Sequence, residues 1–262
     1  MRERRNQVTR EHETWQPPAL LPGEGRVGRL AASARRFLDV QAGSVWNDLR
    51  DELGGARGVV LDIGCGAQPL RSLLPAGITY IGIDIAESQE RFGYRTGDTR
   101  YFEGNVWPVD DASVDLAFAT ETLEHVDDPA QFLSEAFRVL RPGGRLVLTV
   151  PFSARWHFVP YDYWRYTPAS LDMLLRGAGL TDVKVYARGN AVTVACYKDM
   201  ALILPLLLPQ SGSGRRRIAR RVAGVAASPL LLALAAVANV SLRRDGGDDC
   251  LGYTAFAVKP TA

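Results

Sequence analysis

The sequence predicts an α/β fold built around a doubly wound, parallel β-sheet. Short apolar runs typical of buried strands alternate with segments of helical periodicity from residue 59 onward. The first of these runs ends in a glycine-rich turn, as a parallel strand commonly does at a ligand-binding edge. The 262 residues suffice for one such domain with a full core and an addition to it.

The predicted elements begin with two helices and continue as alternating strands and helices. Apolar residues at helical spacing between residues 28 and 53 predict the two helices, which separate at Gly43. Strands are predicted at 59–63, 80–83, 101–105, 114–119, 145–150, 183–187 and 253–258. Helices are predicted between them at 68–74, 129–140 and 168–178, and the stop signal Arg141-Pro-Gly-Gly ends the second of these.

These elements divide the chain into four parts. Residues 1–54 form an N-terminal arm and helices, and residues 55–190 form the core that carries the sheet. Residues 191–250 interrupt the alternation with an apolar and basic helical insertion, and residues 251–262 return as the last strand.

Composition and charge exclude several classes of protein. Hydrophobic residues make up 47% of the chain and charged residues 23%, which argues against a disordered or wholly membrane-embedded protein. The net charge of +2 offers no excess to neutralise phosphates, so no nucleic-acid partner is predicted. The distant cysteines Cys65, Cys196 and Cys250 form no CxxC pair, and the charged N-terminus does not match a secretory signal. We therefore expect a cytoplasmic protein.

The end of the first strand has the pattern of a nucleoside-binding turn. Leu61-Asp-Ile-Gly-Cys-Gly places Asp62 before two glycines, which allow a sharp turn and a close approach of the backbone to a ligand. A nicotinamide dinucleotide would favour a third glycine where Pro69 stands, although an oxidoreductase remains an alternative. Asp84 ends the second strand about twenty residues later, where a carboxylate can accept both ribose hydroxyls.

Four segments in this order resemble the class I methyltransferases that use S-adenosylmethionine (SAM). They are LDIGCG (61–66), YIGIDIAE (80–87), FEGNVWPVDDASVDLAFATETLEHVDDP (102–129) and RVLRPGGRLVLTVP (138–151). The resemblance implies a Rossmann-like sheet of seven strands whose last strand is antiparallel. It also implies that the cofactor is held by Asp62, Ile63, Gly64, Cys65, Gly66, Asp84, Ile85, Asn105, Val106 and Thr120. The family often has Asp at position 105, and Asn105 keeps an acceptor and an amide donor for adenine.

Two histidines follow strands at the predicted ligand edge. His125 lies just past the fourth strand, where structural support or substrate gating competes with base catalysis as its role. Glu121 and Glu124 lie close to it in the sequence, but without a further ligand no metal site is predicted. His157 follows the fifth strand and is the first candidate for the general base, with Asp162 as its orienting group or a competing base.

The loop 152–167 is rich in aromatic and polar residues, as expected of a loop that shapes a pocket. It is similar to the HxxPxDYWRYT segment of methyltransferase-like proteins found with glycan-assembly enzymes. Stacked aromatic rings with charged groups suit a sugar or another polyhydroxylated ring. The predicted substrate-binding residues are Trp156, Tyr161, Tyr163, Arg165 and Tyr166.

Within the insertion, residues 222–242 have the length of a membrane span, and arginines flank both ends. A single crossing would separate the last strand from its sheet, and 200–208 is too short for a second crossing. We therefore expect residues 200–243 to contact the inner face of the cell membrane peripherally. A helical subdomain or a homodimer interface remains the alternative.

The sequence thus predicts a SAM-dependent methyltransferase that methylates oxygen. Its acceptor would be a sugar, a lipid-linked glycan or a secondary metabolite. A SAM-binding scaffold of a membrane-associated biosynthetic complex, without transfer activity, is the alternative from another class.

Overall fold

The computed structural model describes residues 25–93, 96–209, 213–244 and 246–261. Most of the predicted N-terminal arm, residues 1–24, lies outside the described residues. The described chain forms a central sheet with helices on both faces and a pair of long helices beside it.

The sheet has seven strands in the order β3-β2-β1-β4-β5-β7-β6. The strands are β1 (Val59–Ile63), β2 (Thr79–Ile85), β3 (Thr99–Phe102), β4 (Val114–Thr120), β5 (Leu140–Pro151), β6 (Thr181–Arg188) and β7 (Gly252–Val258). The first five are mutually parallel, and β7 lies antiparallel between β5 and β6. The predicted seven-stranded sheet with an antiparallel last strand is therefore confirmed.

Alternate residues of the strands face two separate hydrophobic layers, as the period of two requires. Val60, Leu116 and Phe118 pack on one face beneath α2 (Val40–Gly54). Leu61 and Ala117 pack on the other face against helices α4 (Pro129–Val139) and α5 (Pro168–Gly177). This burial on both faces explains why the strands are continuously apolar in the sequence.

The two N-terminal helices separate four residues before the predicted position. Helix α1 (Gly25–Leu38) ends at Asp39, whose carboxylate accepts a hydrogen bond from the Ala42 backbone N–H at 3.2 Å and so caps α2. The prediction of a break at Gly43 was wrong. Gly43 lies inside α2, where a Cβ would stand 2.5 Å from the Arg36 carbonyl oxygen, so the glycine permits a close approach of the two helices.

Smaller differences concern the connections near the ligand edge. The predicted helix 68–74 is reduced to a 3₁₀ turn at Arg71–Leu73, and a short helix α3 (Ser88–Phe92) follows β2. The segment after β4 forms a 3₁₀ turn at Leu123–His125.

The insertion is a helical hairpin of α6 (Ala191–Leu207) and α7 (Gly214–Ser241). Asn190 caps α6 and also donates to the Ser241 carbonyl oxygen at 3.1 Å, which ties the start of α6 to the end of α7. Near the other end, a Cβ on Gly224 would stand 2.6 Å from the Leu207 backbone nitrogen, so glycine permits the helices to touch. The hairpin therefore leaves the core and returns to it on the same side, and β7 follows directly.

The hairpin has one packed face and one exposed face. Met200, Ile203, Leu231 and Ala235 form a buried cluster that also includes Val40 of α2. Helix α7 is 28 residues long with a mean hydropathy of 1.9 over its most apolar window, and 22% of that window is buried. By length and composition alone it could cross a membrane.

Candidate active site

The carboxyl ends of β1, β2 and β4 meet at one edge of the sheet, because Ile63 pairs with both Ile83 and Ala119. The turn after β1 is fixed there by the backbone N–H groups of Gly64 and Cys65, which donate to the Ile83 carbonyl oxygen at 3.0 and 3.1 Å. Gly64 has a φ of +67°, and a Cβ on it would stand 2.5 Å from the Thr122 methyl carbon. Only glycine satisfies both the conformation and the contact.

Asp84 joins the second strand end to this turn. Its Oδ2 accepts a hydrogen bond from the Gly66 N–H at 2.9 Å, and its Oδ1 accepts one from the Ile85 N–H at 2.8 Å. Burial raises the pKa of the Asp84 carboxyl above its usual range despite these two hydrogen bonds. The site thus holds a carboxylate that a hydroxyl-bearing or cationic ligand would stabilise.

Asp62 lies behind the same turn and is 2% exposed. Its Oδ2 accepts a hydrogen bond from the Tyr80 hydroxyl at 2.8 Å. Burial, and to a smaller extent the neighbouring charge of Asp84, raises the pKa of Asp62 to about 7, although the Tyr80 hydrogen bond lowers it. Two carboxylates whose charge is poorly compensated therefore stand together beside the glycine turn.

A cavity of about 1190 Å³ opens at this edge and extends along the insertion. Eight of the ten predicted cofactor residues line it: Ile63, Gly64, Cys65, Gly66, Asp84, Ile85, Asn105 and Thr120. Asp62 and Val106 are not among its lining residues, because Asp62 is covered by the turn and the Val106 side chain is 68% exposed. The predicted cofactor residues are thus largely brought together.

The structure adds aromatic residues to this part of the cavity that the sequence analysis did not single out. Phe102, Trp107 and Phe132 line it beside Asn105. The Trp107 and Phe132 rings meet edge to face at 5.1 Å, and the Trp107 backbone N–H donates to Glu135 Oε2 at 2.8 Å. Trp107 directly follows Val106 in the sequence. A planar base therefore suits a position against Trp107, one residue after the predicted contact Val106.

The two histidines lie together at the opposite side of the cavity. Their ring centroids are 4.8 Å apart, and both imidazoles line the cavity. His125 Nδ1 lies 2.8 Å from the Tyr161 carbonyl oxygen, and His157 Nδ1 lies 3.3 Å from Asp162 Oδ2. Asp162 also accepts a hydrogen bond from the His157 backbone N–H at 3.1 Å, so it is placed to orient that residue as predicted.

The protonation of His157 bears on its predicted role as a base. Burial alone would lower its pKa, but the carboxylates of Asp162 and Glu124 outweigh burial and raise the pKa to about 10. Arg165 and His157 in turn hold the pKa of Asp162 below its usual range, against the effect of burial. With this arrangement of charges, the His157 imidazole already carries a proton at neutral pH. It therefore cannot accept another proton as a general base.

Most aromatic residues of the loop 152–167 fasten it to the rest of the domain instead of facing the cavity. Of the five predicted substrate-binding residues, only Trp156 lines the cavity, and its side chain is 61% exposed. The buried Tyr166 donates its hydroxyl to the Leu123 carbonyl oxygen at 3.1 Å, and Arg165 pairs with Asp162. The prediction that Tyr161, Tyr163, Arg165 and Tyr166 line the pocket is therefore not supported by the geometry. Tyr163 is half exposed, and the Arg91 guanidinium covers the Tyr161 ring at 4.5 Å.

Comparison with known proteins agrees with this geometry. Residues 61–148 match the family model described as a methyltransferase domain. This segment of the chain therefore resembles a class I SAM-dependent methyltransferase domain. The predicted fold class is confirmed, and the family model agrees with the predicted family and its use of SAM.

The curated relatives match only part of this chain and part of their own length. An O-methyltransferase of Aspergillus nomiae is 32% identical over 42% of this chain and 55% of its own length. The 27-O-demethylrifamycin SV methyltransferase of Amycolatopsis mediterranei is 40% identical over 34% of this chain and 37% of its own length. The chain therefore spans about half or less of the curated relatives it matches. A solved SAM-dependent methyltransferase from Thermotoga maritima shares the fold, with a TM-score of 0.51 and 18% identity over 88% of this chain and 97% of its own.

An ion pair between the buried Arg188 and the partly exposed Glu121 supports the wall of the cavity and was not foreseen. The side chain of Arg188, at the end of β6, is fully buried and donates to Glu121 Oε1 at 2.7 Å and to the Val150 carbonyl oxygen at 3.0 Å. Gln41 donates to the other Glu121 oxygen at 2.9 Å. Glu121 is therefore paired with Arg188 and Gln41. It does not join Glu124 and His125, the residues beside which it was considered as a metal ligand from the sequence.

The raised pKa of Asp62 leads to a testable pH dependence of SAM binding. SAM is cationic, so we expect it to bind more tightly when Asp62 is ionised. The dissociation constant should fall as pH rises toward 7, by up to about tenfold per pH unit below that value, and level off above it. Isothermal titration calorimetry with SAM between pH 5.5 and 8.5 measures this.

The control for this prediction is Asp62→Asn, which removes the titrating group but keeps an acceptor for the Tyr80 hydroxyl. Its SAM affinity should be weaker than that of the wild type at pH 8 and nearly independent of pH. An Asp62→Asn profile as steep as the wild-type profile would assign the proton to another group.

Proposed function

We propose that this protein transfers a methyl group from SAM to a hydroxyl oxygen of an amphiphilic acceptor, a lipid-linked sugar or glycan in preference to a soluble secondary metabolite. The observation that carries this proposal is the continuous cavity. It runs from the glycine turn and Asp84, past His125 and His157, to Leu208 at the far end of α6. A cofactor, a polar acceptor group and an apolar chain can therefore occupy one space.

The residues at the strand edge fit SAM. Asp84 offers a carboxylate for the ribose hydroxyls, and Asn105 with Trp107 offers polar and planar surfaces for adenine. The poorly compensated charges of Asp62 and Asp84 match the cationic amino acid and sulfonium part of the cofactor. When bound, SAM supplies a methyl group that is already activated by its sulfonium.

Because the cofactor carries the activation, the protein mainly has to position the acceptor and exclude water. Thr120 ends β4, and both it and the following Glu121 line the cavity, as do the glycine turn and the histidines. The loop 152–167 covers this centre and is held in place by Trp164, which donates to the Val126 carbonyl oxygen at 2.8 Å. Relatives named as O-methyltransferases support oxygen as the acceptor atom.

The outer part of the cavity supports an amphiphilic acceptor. Apolar side chains of α6, among them Met200, Leu204 and Leu208, form one wall. Helix α1 forms the facing wall and contributes Arg29 and Arg36, so an anionic group beside an apolar chain would find suitable partners. A small soluble acceptor would leave this outer part unused.

The decisive experiment incubates the protein with methyl-labelled SAM and a set of acceptors. The set contains lipid-linked sugars, free sugars and phenolic metabolites, and labelled product is followed together with release of S-adenosylhomocysteine. Transfer to a lipid-linked sugar supports the proposal, and transfer to a soluble metabolite alone overturns the acceptor class. Tight SAM binding without transfer to any acceptor would favour the non-catalytic scaffold.

The proposal includes peripheral binding of the hairpin to an anionic bilayer on the cytoplasmic face. Arg215, Arg216 and Arg217 are exposed at the start of α7, and no acidic residue occurs between Asp199 and Asp245. Ile218, Val222 and Val225 on the same part of α7 are each 64% exposed. Exposed apolar side chains beside clustered arginines are the pattern of helices that lie in a lipid interface. Because β7 returns between β5 and β6, a single crossing by α7 would separate it from the sheet.

We expect the protein to float with phosphatidylglycerol vesicles and not with phosphatidylcholine vesicles. Replacing Arg215, Arg216 and Arg217 with alanine should weaken binding on the order of 100-fold, since each basic residue near an anionic surface contributes about 1 kcal/mol. The matched control replaces three exposed arginines outside the hairpin, Arg50, Arg57 and Arg100, and should bind as the wild type does. Equal losses in both variants would indicate attraction by overall charge instead of by the hairpin.

A further inference from the structure

Three potential metal ligands converge on the cavity from two different loops. Glu124 and His125 belong to the turn that follows β4, and His157 belongs to the loop that follows β5. One ligand atom of each lies within 4.8 Å of the other two. Sequence spacing could not reveal the proximity of His157, because 31 residues separate it from His125. The two histidines meet only through the fold.

Glu124 is the unusual member of this group. Its side chain is fully buried, and neither carboxylate oxygen accepts a hydrogen bond from any residue within the described parts of the chain. A buried carboxylate without donors is costly, and such groups are generally hydrogen-bonded, ion-paired or bound to a metal. His125 Nε2 and His157 Nε2 both approach Glu124 Oε1, each at 3.6 Å, which is longer than a hydrogen bond.

The other nitrogen of each imidazole is held in the manner of a metal-binding histidine. His125 Nδ1 faces the Tyr161 carbonyl oxygen at 2.8 Å. His157 Nδ1 faces the Arg155 carbonyl oxygen at 3.2 Å and Asp162 Oδ2 at 3.3 Å. When a metal displaces the proton from Nε2, Nδ1 can still donate to its oxygen partner, and that partner fixes the direction of the ring.

We propose that Glu124, His125 and His157 bind a divalent transition metal ion whose open coordination position faces the acceptor. Ligand atoms around a tetrahedral Zn²⁺ with bonds of about 2.1 Å stand about 3.4 Å apart, close to the two separations of 3.6 Å. Two histidines and one carboxylate leave a position free, as in catalytic zinc sites. Because both histidines line the cavity, that position opens toward it.

This inference deepens the proposed function and rests on it for the role of the ion. A metal beside the acceptor hydroxyl lowers the pKa of that hydroxyl and removes the need for a protein base. The hydroxyl proton leaves to water, and an oxygen lone pair forms the new oxygen–carbon bond. The electron pair of the breaking carbon–sulfur bond returns to sulfur, which becomes a neutral thioether.

Calorimetric titration of chelator-treated full-length protein with ZnCl₂ tests the site. We expect one Zn²⁺ per chain, and we expect Glu124→Gln, His125→Ala and His157→Ala each to weaken binding by at least about 100-fold. Asp162→Asn, which alters the group behind His157, should weaken it by roughly 10- to 100-fold. The control is His12→Ala, which removes the third histidine of the chain and should bind Zn²⁺ as the wild type does.

Titration with Co²⁺ provides a second readout that does not depend on heat signals. Visible absorption bands of low-coordinate Co²⁺ should appear in the wild type and in His12→Ala and be absent in Glu124→Gln. Glu124→Gln removes a buried charge and should remain folded, which its thermal unfolding checks. Zn²⁺ binding that is absent, or unchanged in Glu124→Gln and His157→Ala, would overturn the proposal and leave a protonated histidine–carboxylate cluster.

Failure of the metal site and failure of the proposed function can be told apart. SAM is titrated into the same wild-type preparations with and without Zn²⁺. SAM binding and methyl transfer that persist in chelator would overturn the catalytic role of the ion and leave the methyltransferase function standing. Zn²⁺ binding without SAM binding would overturn the methyltransferase function while the metal site stands.

Discussion

Replacing Asp84 with asparagine is expected to weaken SAM binding by about 100-fold. The carboxylate already accepts the Gly66 and Ile85 N–H groups, one on each oxygen, and its remaining lone pairs are available to a ligand. Asparagine keeps one oxygen and presents an amide donor where the other stood, so one backbone N–H and one ribose hydroxyl lose their acceptor. Hydrogen bonds to a charged group contribute about 1.5–3 kcal/mol each, and about 2.7 kcal/mol corresponds to 100-fold.

Calorimetric titration with SAM measures the effect of Asp84→Asn, and thermal unfolding in the absence of SAM separates it from loss of the fold. Because the substitution leaves one backbone N–H without its acceptor, some loss of stability is expected, and the unfolding measurement reports it separately from SAM affinity. Asp98→Asn is the matched control, because Asp98 pairs with Arg71 and Gln68 and does not line the cavity. If Asp84→Asn bound SAM as tightly as Asp98→Asn, the ribose assignment would be wrong.

The sequence was sufficient to predict the sheet and the cofactor edge because both depend on local patterns. A buried parallel strand is continuously apolar, and a glycine turn with an acidic residue at the next strand end follows in short, fixed spacing. Ile63, Gly64 and Asp84 could therefore be placed at one edge before their contacts were known, and the structure brings them together.

The other side of the cavity depends on contacts between distant segments, which local patterns do not encode. The aromatic residues of 152–167 suggested a binding surface, yet Trp164 and Tyr166 are used to fasten the loop to the turn after β4. A sequence cannot show which side of a ring will face solvent, the domain or a ligand. The same limit hid His157 as a partner of Glu124 and His125, since it lies in a different loop and only the fold brings the three together.

Arg188 is the clearest case of a residue that sequence analysis could not single out. It ends a strand whose preceding residues alternate between exposed and half-buried, a pattern that predicts an accessible arginine. Its side chain instead lies fully buried between β4, β5 and α2, where it contacts Glu121, the Val150 carbonyl oxygen and Ser44. The ion pair links three elements of the cavity wall and holds Glu121 in its left-handed conformation, with a φ of +50°.

Replacing Arg188 with methionine is expected to lower the free energy of unfolding by about 3–5 kcal/mol. Methionine fills much of the space but leaves Glu121 Oε1 and the Val150 carbonyl oxygen without their donor, while Gln41 still donates to Glu121 Oε2. Removing one partner of a buried pair is strongly destabilising because the other charge remains uncompensated. Urea unfolding followed by circular dichroism measures the change.

Two further variants separate the charge effect from the loss of packing. In Arg188→Met combined with Glu121→Gln, the uncompensated charge is removed, so the double variant should recover about 1–2 kcal/mol relative to Arg188→Met alone. Arg176→Met removes an exposed pair with Asp172 and should cost only about 0.3–0.5 kcal/mol. A double variant no more stable than Arg188→Met would show that packing, and not the charge of Glu121, makes this arginine necessary.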